Sequence, residues 1–176
     1  MNNRFMMTAF GKDRVGIVAD VTRILYDCDC NLEDTTMNML SDEFTLNLLF
    51  SSKKNNINEL LSSECRRLEL EKGVSAFVRA LPEPEPKGIN GFKDCTLHIE
   101  GLDQVGIVYK TSRFLAENKF NIMHLNSTAK SSPESGVTIH CMDIHIQVPG
   151  DVSLDQVEDD LSVMADELQV DINMTR

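Results

Sequence analysis

Two stretches of this chain share one skeleton. Residues 11–25 read GKDRVGIVADVTRIL and residues 101–115 read GLDQVGIVYKTSRFL, each spelling G-x-D-x-V-G-I-V and then R-x-L. Laid over one another at an offset of 90, residues 11–31 match their counterparts at nine of 21 positions. The identities are Gly11/Gly101, Asp13/Asp103, Val15/Val105, Gly16/Gly106, Ile17/Ile107, Val18/Val108, Arg23/Arg113, Leu25/Leu115 and Asn31/Asn121. Whatever one stretch folds into, the other must fold into as well. The chain of 176 residues therefore reads as two copies of one small domain.

The segment between the copies, PEPEPKGING, alternates prolines with charge. Proline fixes φ and lacks an amide donor, so this stretch suits neither helix nor central strand and reads as a short, semi-rigid linker. The expected boundaries are 1–81, 82–91 and 92–176.

Each copy divides into the same elements. Residues 4–10 and 95–100 are short mixed apolar runs ending at glycine, as a first strand would. The chain is expected to turn at Gly11 and to enter a helix with Asp13 or Asp103 as its N-cap. Val18, Val21, Leu25 and Cys28 then form one helical stripe. Residues 31–39 and 121–130 are expected second strands. FTLNLLF alternates Phe44, Leu46, Leu48 and Phe50 against more polar neighbours, which predicts a half-buried third strand. Its counterpart is VTIHCMDIHIQV, rich in β-branched residues.

A second helix follows in each copy. Asn56 with Glu59, and Ser153 with Gln156, have capping-box spacing. Ile57, Leu60, Leu61 and Leu68 supply one stripe; Leu154, Val157, Leu161, Met164 and Leu168 supply the other. Gly73 is placed to end the earlier helix. Residues 74–80 and 169–174 close the copies as fourth strands. The order is βαββαβ twice: an α+β protein of two ferredoxin-like units, each an antiparallel sheet with two helices on one face.

Charge and cysteine content remove several classes of function. The net charge is −11, from 28 acidic and 17 basic residues, which disfavours direct binding to nucleic acid or to an anionic membrane. No run approaches the length of a membrane helix, and no signal-peptide pattern opens the chain. Five cysteines without a C-x-x-C pair point to free thiols and a cytoplasmic setting. No cofactor motif occurs.

Other chemistry-bearing patterns fall short. DCDCN, from Asp27, has Leu32 where a calcium loop needs glycine and Asn38 where it needs glutamate. His98 and His145 are placed to share an open sheet face with Asp143, a solvated polar surface and not a metal centre. His140 and Cys141 are neighbours on a strand and point to opposite faces, so they form no nucleophile pair. Phosphate chemistry of the acylphosphatase type needs an arginine in the first loop, and Gln104 stands where the first copy has Arg14. A non-enzyme is expected.

The loop motif GKDRVGIVADVTRILYDCDCNLED, the element order and the duplication together resemble the ACT-domain family. Tandem units of this length are similar to the glycine cleavage system transcriptional repressor family. The chain departs from a common form of the motif by carrying Val15 and Val105 where proline often precedes the second glycine. The resemblance implies an amino-acid-sensing regulator, in transcriptional control of amino-acid (glycine) metabolism, acting through a protein partner: a transcription factor or a metabolic enzyme. A homodimer is also expected. The alternative is a ligand-independent dimeric interaction module or a regulatory subunit of a metabolic enzyme.

Physical chemistry places the ligand at the helix entry. Unpaired amides and a partial positive charge there suit a carboxylate, and Gly16 and Gly106 would let it approach. Asp13 and Asp103 would accept from an α-ammonium group, with Asn31 and Asn121 offering donor and acceptor to the same molecule. With Ile17 and Ile107, which open the helices, these eight residues are the candidate ligand set.

Overall fold

A computed structural model describes residues 3–54, 56–82, 91–131 and 136–176. The chain divides into two compact units, Met1–Pro86 and Lys87–Arg176. Most of the expected linker, 83–90, lies outside the described residues.

The first unit runs β1 (Asn3–Lys12), α1 (Ile17–Asp27), β2 (Asn31–Leu40), β3 (Glu43–Ser52), α2 (Ile57–Lys72) and β4 (Ser75–Ala80). The second repeats it as β5 (Phe92–Leu102), α3 (Ile107–Glu117), β6 (Asn121–Ser131), β7 (Thr138–Pro149), α4 (Leu154–Leu168) and β8 (Val170–Thr175). The sheets are antiparallel, in the orders β2-β3-β1-β4 and β6-β7-β5-β8. This is the βαββαβ arrangement twice.

Each core lies between one face of a sheet and its helices. In the first unit Phe5, Met7 and Ala9 of β1 and Phe44, Leu46, Leu48 and Phe50 of β3 are buried, as the alternation of FTLNLLF predicts. Ile17, Val21, Ile24 and Leu25 of α1 and Ile57, Leu61, Cys65 and Leu68 of α2 close over them. In the second unit Leu97, Ile99, Met142, Ile144 and Ile146 meet Ile107, Leu115, Val157 and Leu161. Burial of such side chains contributes about 1.5–3 kcal/mol each.

Several expectations are corrected. The chain does not turn at Gly11, which stays in the β1 ladder opposite Phe44, as Gly101 stays opposite His140. Asp13 and Asp103 are not N-caps, because the helices start after Gly16 and Gly106. The shift rotates the buried stripe of α1 onto Ile17 and Ile24 and leaves Val18 exposed. Leu60 likewise faces solvent, and Cys65 takes its place in the core. Asn56 and Ser153 precede their helices but make no side-chain cap bond, so the capping boxes do not form. Gly73 does end α2, in the left-handed conformation, with its N–H donating to the Glu69 carbonyl.

The edge strands stand apart. All ten residues of β2 are exposed, Leu32, Met37, Met39 and Leu40 among them. Both β2 and β6 carry a register shift at the same place, after Leu32 and after Ile122.

Candidate functional site

Four residues join β1 to α1, and their conformation explains the repeated glycine. The Asp13 N–H donates to the Asp42 carbonyl at 2.8 Å, and Asp103 N–H to the Thr138 carbonyl at 3.0 Å, tying each loop to the neighbouring strand end. Gly16 then adopts φ 86° and Gly106 φ 97°, a left-handed region that L side chains rarely occupy. A Cβ at either position would meet nothing within 4 Å. Backbone conformation, and not crowding, therefore demands glycine, and the space before each helix entry is open. The Gly16 and Gly106 carbonyls accept from the Asp20 and Lys110 amides at 3.0 and 2.8 Å, which starts the helices. Val15 and Val105, one residue earlier, are fully exposed.

The eight candidates do not gather at one point within a unit. Asp13, Gly16, Asp103 and Gly106 share their loops, with both carboxylates exposed. Ile17 and Ile107 lie beside them, but their side chains are 2% exposed and belong to the cores. The Ile17 N–H is already engaged by the Arg14 carbonyl at 3.3 Å. Asn31 pairs with Ser51, which pairs with Arg4 at the beginning of β1, and Asn121 pairs with Gln147, opposite Asp94. Lys12 ends the same β1, so Asn31 sits eight residues along the sheet from the loop, about 27 Å at the rise of an antiparallel strand. One unit alone does not bring Asn31 to Asp13.

The two loops differ electrostatically. Arg14 pairs with Asp20 at 2.5 Å, and its hydrogen bond holds the Asp20 carboxyl below the usual carboxylate range. At the equivalent place Gln104 donates instead to the Leu168 carbonyl. Beneath the second loop lies a polar line that reasoning from sequence missed. Ser127 Oγ is 2.9 Å from His140 Nε2, and His140 Nδ1 is 3.4 Å from Asp103 Oδ1. The signal for it is in the strand alignment: Phe44 opposite Gly11 becomes His140 opposite Gly101.

The second sheet's open face carries the remaining histidines. His98 Nδ1 lies 2.6 Å from Asp143, His145 Nδ1 lies 2.9 Å from Thr96 Oγ1, and the rings of His124 and His145 are 5.7 Å apart. Among the described residues no three His, Cys, Asp or Glu side chains are placed to hold a metal ion. All five cysteines are free. Concavities lie between α1 and α2 (Arg23, Asp27, Glu64, Arg67), between α3 and α4 (Arg113, Phe114, Val163, Met164), and at the base of the second loop, where Gly101 and Leu102 meet Gln169 and Val170. Among the described residues no helix is long and apolar enough to cross a membrane.

Comparison with known proteins points the same way. Residues 3–77 match a family model described as ACT domain. A 58-residue stretch is 43% identical to the glycine cleavage system transcriptional repressor of Escherichia coli K12, spanning 33% of this chain and 30% of that protein. A 76-residue stretch is 34% identical to a UPF0237 protein of Neisseria meningitidis serogroup B, spanning 40% of this chain and 83% of that one. The crystal structure of an unknown protein from Galdieria sulphuraria superimposes with a TM-score of 0.81 at 26% identity, covering 99% of this chain and 98% of that one.

Proposed function

This chain belongs to the ACT-domain family, and on that premise we propose that it is an amino-acid-sensing regulatory protein that acts through a protein partner. The observation that carries the reading is the doubled loop: an exposed carboxylate, a left-handed glycine and an open helix entry, present in both units. A helix entry attracts a carboxylate and the aspartate attracts an ammonium group, so the pair suits a zwitterion.

The distance between Asp13 and Asn31 gives the reading a further condition. The asparagines serve the same ligand only if a second copy of the chain, in a homodimer, brings its strand start beside the loop. The wholly exposed β2 offers an edge for such pairing. The setting is cytoplasmic, and the regulated process is transcriptional control of amino-acid metabolism, glycine in particular, by analogy with the repressor that a 58-residue stretch resembles. With a net charge of −11 the chain grips a DNA-binding protein and not DNA itself.

A thermal-shift panel of the twenty amino acids, followed by calorimetry, tests this. Ligand at 100 times its Kd raises native stability by about 2.7 kcal/mol. Silence across the panel overturns the sensing role and favours a second reading, a ligand-independent dimeric module, which the exposed edge strand also supports. Co-purification with a metabolic enzyme, unresponsive to amino acids, is the outcome expected of that module.

A further inference from the structure

The two entry loops are alike in sequence and unlike underneath. In the first unit the residue opposite Gly11 is Phe44, fully buried, and Met37 stands across from Leu46 on the adjoining edge strand. Hydrocarbon lies below that loop. In the second unit the same two places hold His140, opposite Gly101, and Ser127, opposite Met142. His140 lies on the core side of β7, in phase with Met142 and Ile144, with its side chain only 12% exposed. Its Nδ1 is buried and has no hydrogen-bond partner. The nearest acceptor is Asp103 Oδ1 at 3.4 Å, and Asp103 is 44% exposed.

We infer that Ser127, His140 and Asp103 form a relay that makes the second loop a dedicated ammonium site, with His140 as the positioning residue for Asp103. The chemistry follows from the donor inventory of imidazole. A hydroxyl can donate or accept at Nε2; in the relay Ser127 donates, which puts the imidazole proton on Nδ1. Nδ1–H then has the Asp103 carboxylate 3.4 Å away, within reach of a small shift of that exposed side chain. A buried donor left short of a partner is costly, so the imidazole draws the carboxylate to one place. The outer oxygen of Asp103 stays available to a ligand. Asp13 is equally exposed, but nothing comparable lies beneath it, because Phe44 has no donor. The two sites therefore differ, and the second is the one preorganised for a primary ammonium group. This rests on the amino-acid reading above for its ligand, though the relay itself does not.

The full-length chain supports both halves of a test. Long-range nitrogen–proton correlation NMR reads the tautomer of each of the four histidines, and His140→Phe, which installs the first unit's own residue, identifies the His140 signals. The expected result is Nδ1–H, with that proton's shift moved by Asp103→Asn and by Ser127→Ala. An Nε2–H tautomer, or a signal indifferent to Asp103→Asn, overturns the relay.

Binding is read by calorimetry with glycine, the smallest molecule carrying both an ammonium and a carboxylate, in an Asp13→Asn background that weakens the first loop. His140→Phe is expected to weaken binding by about tenfold, the worth of one lost hydrogen bond to a charged group. His140→Asn places an amide donor where Nδ1–H stood and is expected to retain affinity, whereas His140→Gln, with its donor at the Nε2 position, is not. Equal losses from Asn, Gln and Phe mean that the imidazole only fills space, and overturn the positioning role. Absence of glycine binding in every variant, with the NMR result intact, counts against the ligand and not against the relay.

Discussion

Thr8 donates to Asn47 across 2.8 Å on the open face of the first sheet, and at the same cross-strand position of the second sheet His98 faces Asp143 across 2.6 Å. One neutral pair has become an ionisable one. The Asp143 hydrogen bond, joined by the charges of Asp143 and Glu100, raises the His98 pKa above its ordinary value. A raised histidine pKa makes the protonated form favour the folded state. That contribution is fully present below about pH 6.5, the unfolded value, and is lost as pH rises through the higher folded value. Denaturant unfolding from about pH 5.5 to about pH 9 is expected to show the second unit losing stability over this window. His98→Thr, the first unit's own solution, is expected to remove that slope.

Thr111 is fully buried in α3 and its hydroxyl has no hydrogen-bond partner. The equivalent position in α1 is Val21, equally buried. An unsatisfied buried hydroxyl costs about 1–3 kcal/mol. Thr111→Val keeps the shape and removes the orphan, so it is expected to stabilise the second unit by about 1 kcal/mol or more, read as a higher denaturant midpoint at unchanged m-value. A lower midpoint would show that the hydroxyl is satisfied in solution.

Two glycines of one motif are expected to fail differently. Gly106→Ala meets no atom and costs only the left-handed backbone penalty, about 1–2 kcal/mol. Gly101→Ala would put its Cβ 2.6 Å from Val170 Cγ1, its partner where β8 pairs with β5. Its cost is steric, so shortening Val170 to alanine should relieve part of it. A double-mutant cycle reads the coupling: strong for Gly101 with Val170, near zero for Gly106 with Val170.

Burial pushes the Cys65 thiol up to about 11, and burial also raises Cys28 and Cys95. At pH 8 roughly one Cys65 side chain in a thousand is thiolate, the reactive form. A maleimide pulse on the native chain is therefore expected to leave Cys65 unlabelled, and denaturant to expose it at the unfolding midpoint. Rapid native labelling of Cys65, read by peptide mass mapping, would place it outside the core.

Periodicity revealed the sheet cores because Phe44, Leu46, Leu48 and Phe50 all obey a period of two in an unbroken strand. The same rule gave no phase for β2 or β6, since the register shift after Leu32 and Ile122 exchanges the faces partway along. The helix start was misplaced by three residues because Asp13 has the chemistry of a cap, while the left-handed turn at Gly16 decides where helical geometry begins. Legible in the motif were the loop and its carboxylate. The relay under Asp103 was not, because Ser127 and His140 come from two other strands and meet only through the register of β6 on β7. Asn31 and Asp13 suit one ligand by chemistry alone, but α1 runs between them and carries the chain back along the sheet, which sets them at opposite ends.

The bulges in β2 and β6 each spend one surplus residue, Glu33 and Met123, on interrupting an edge. Deleting either would restore an even ladder, since the residues on both sides of the bulge keep their partners on β3 and β7. The core would scarcely notice. What would change is colloidal behaviour: a straight, unbroken edge lined with Leu32, Met37 and Met39 is a template on which further strands stack without limit. A single irregular residue thus guards an otherwise even edge against open-ended stacking.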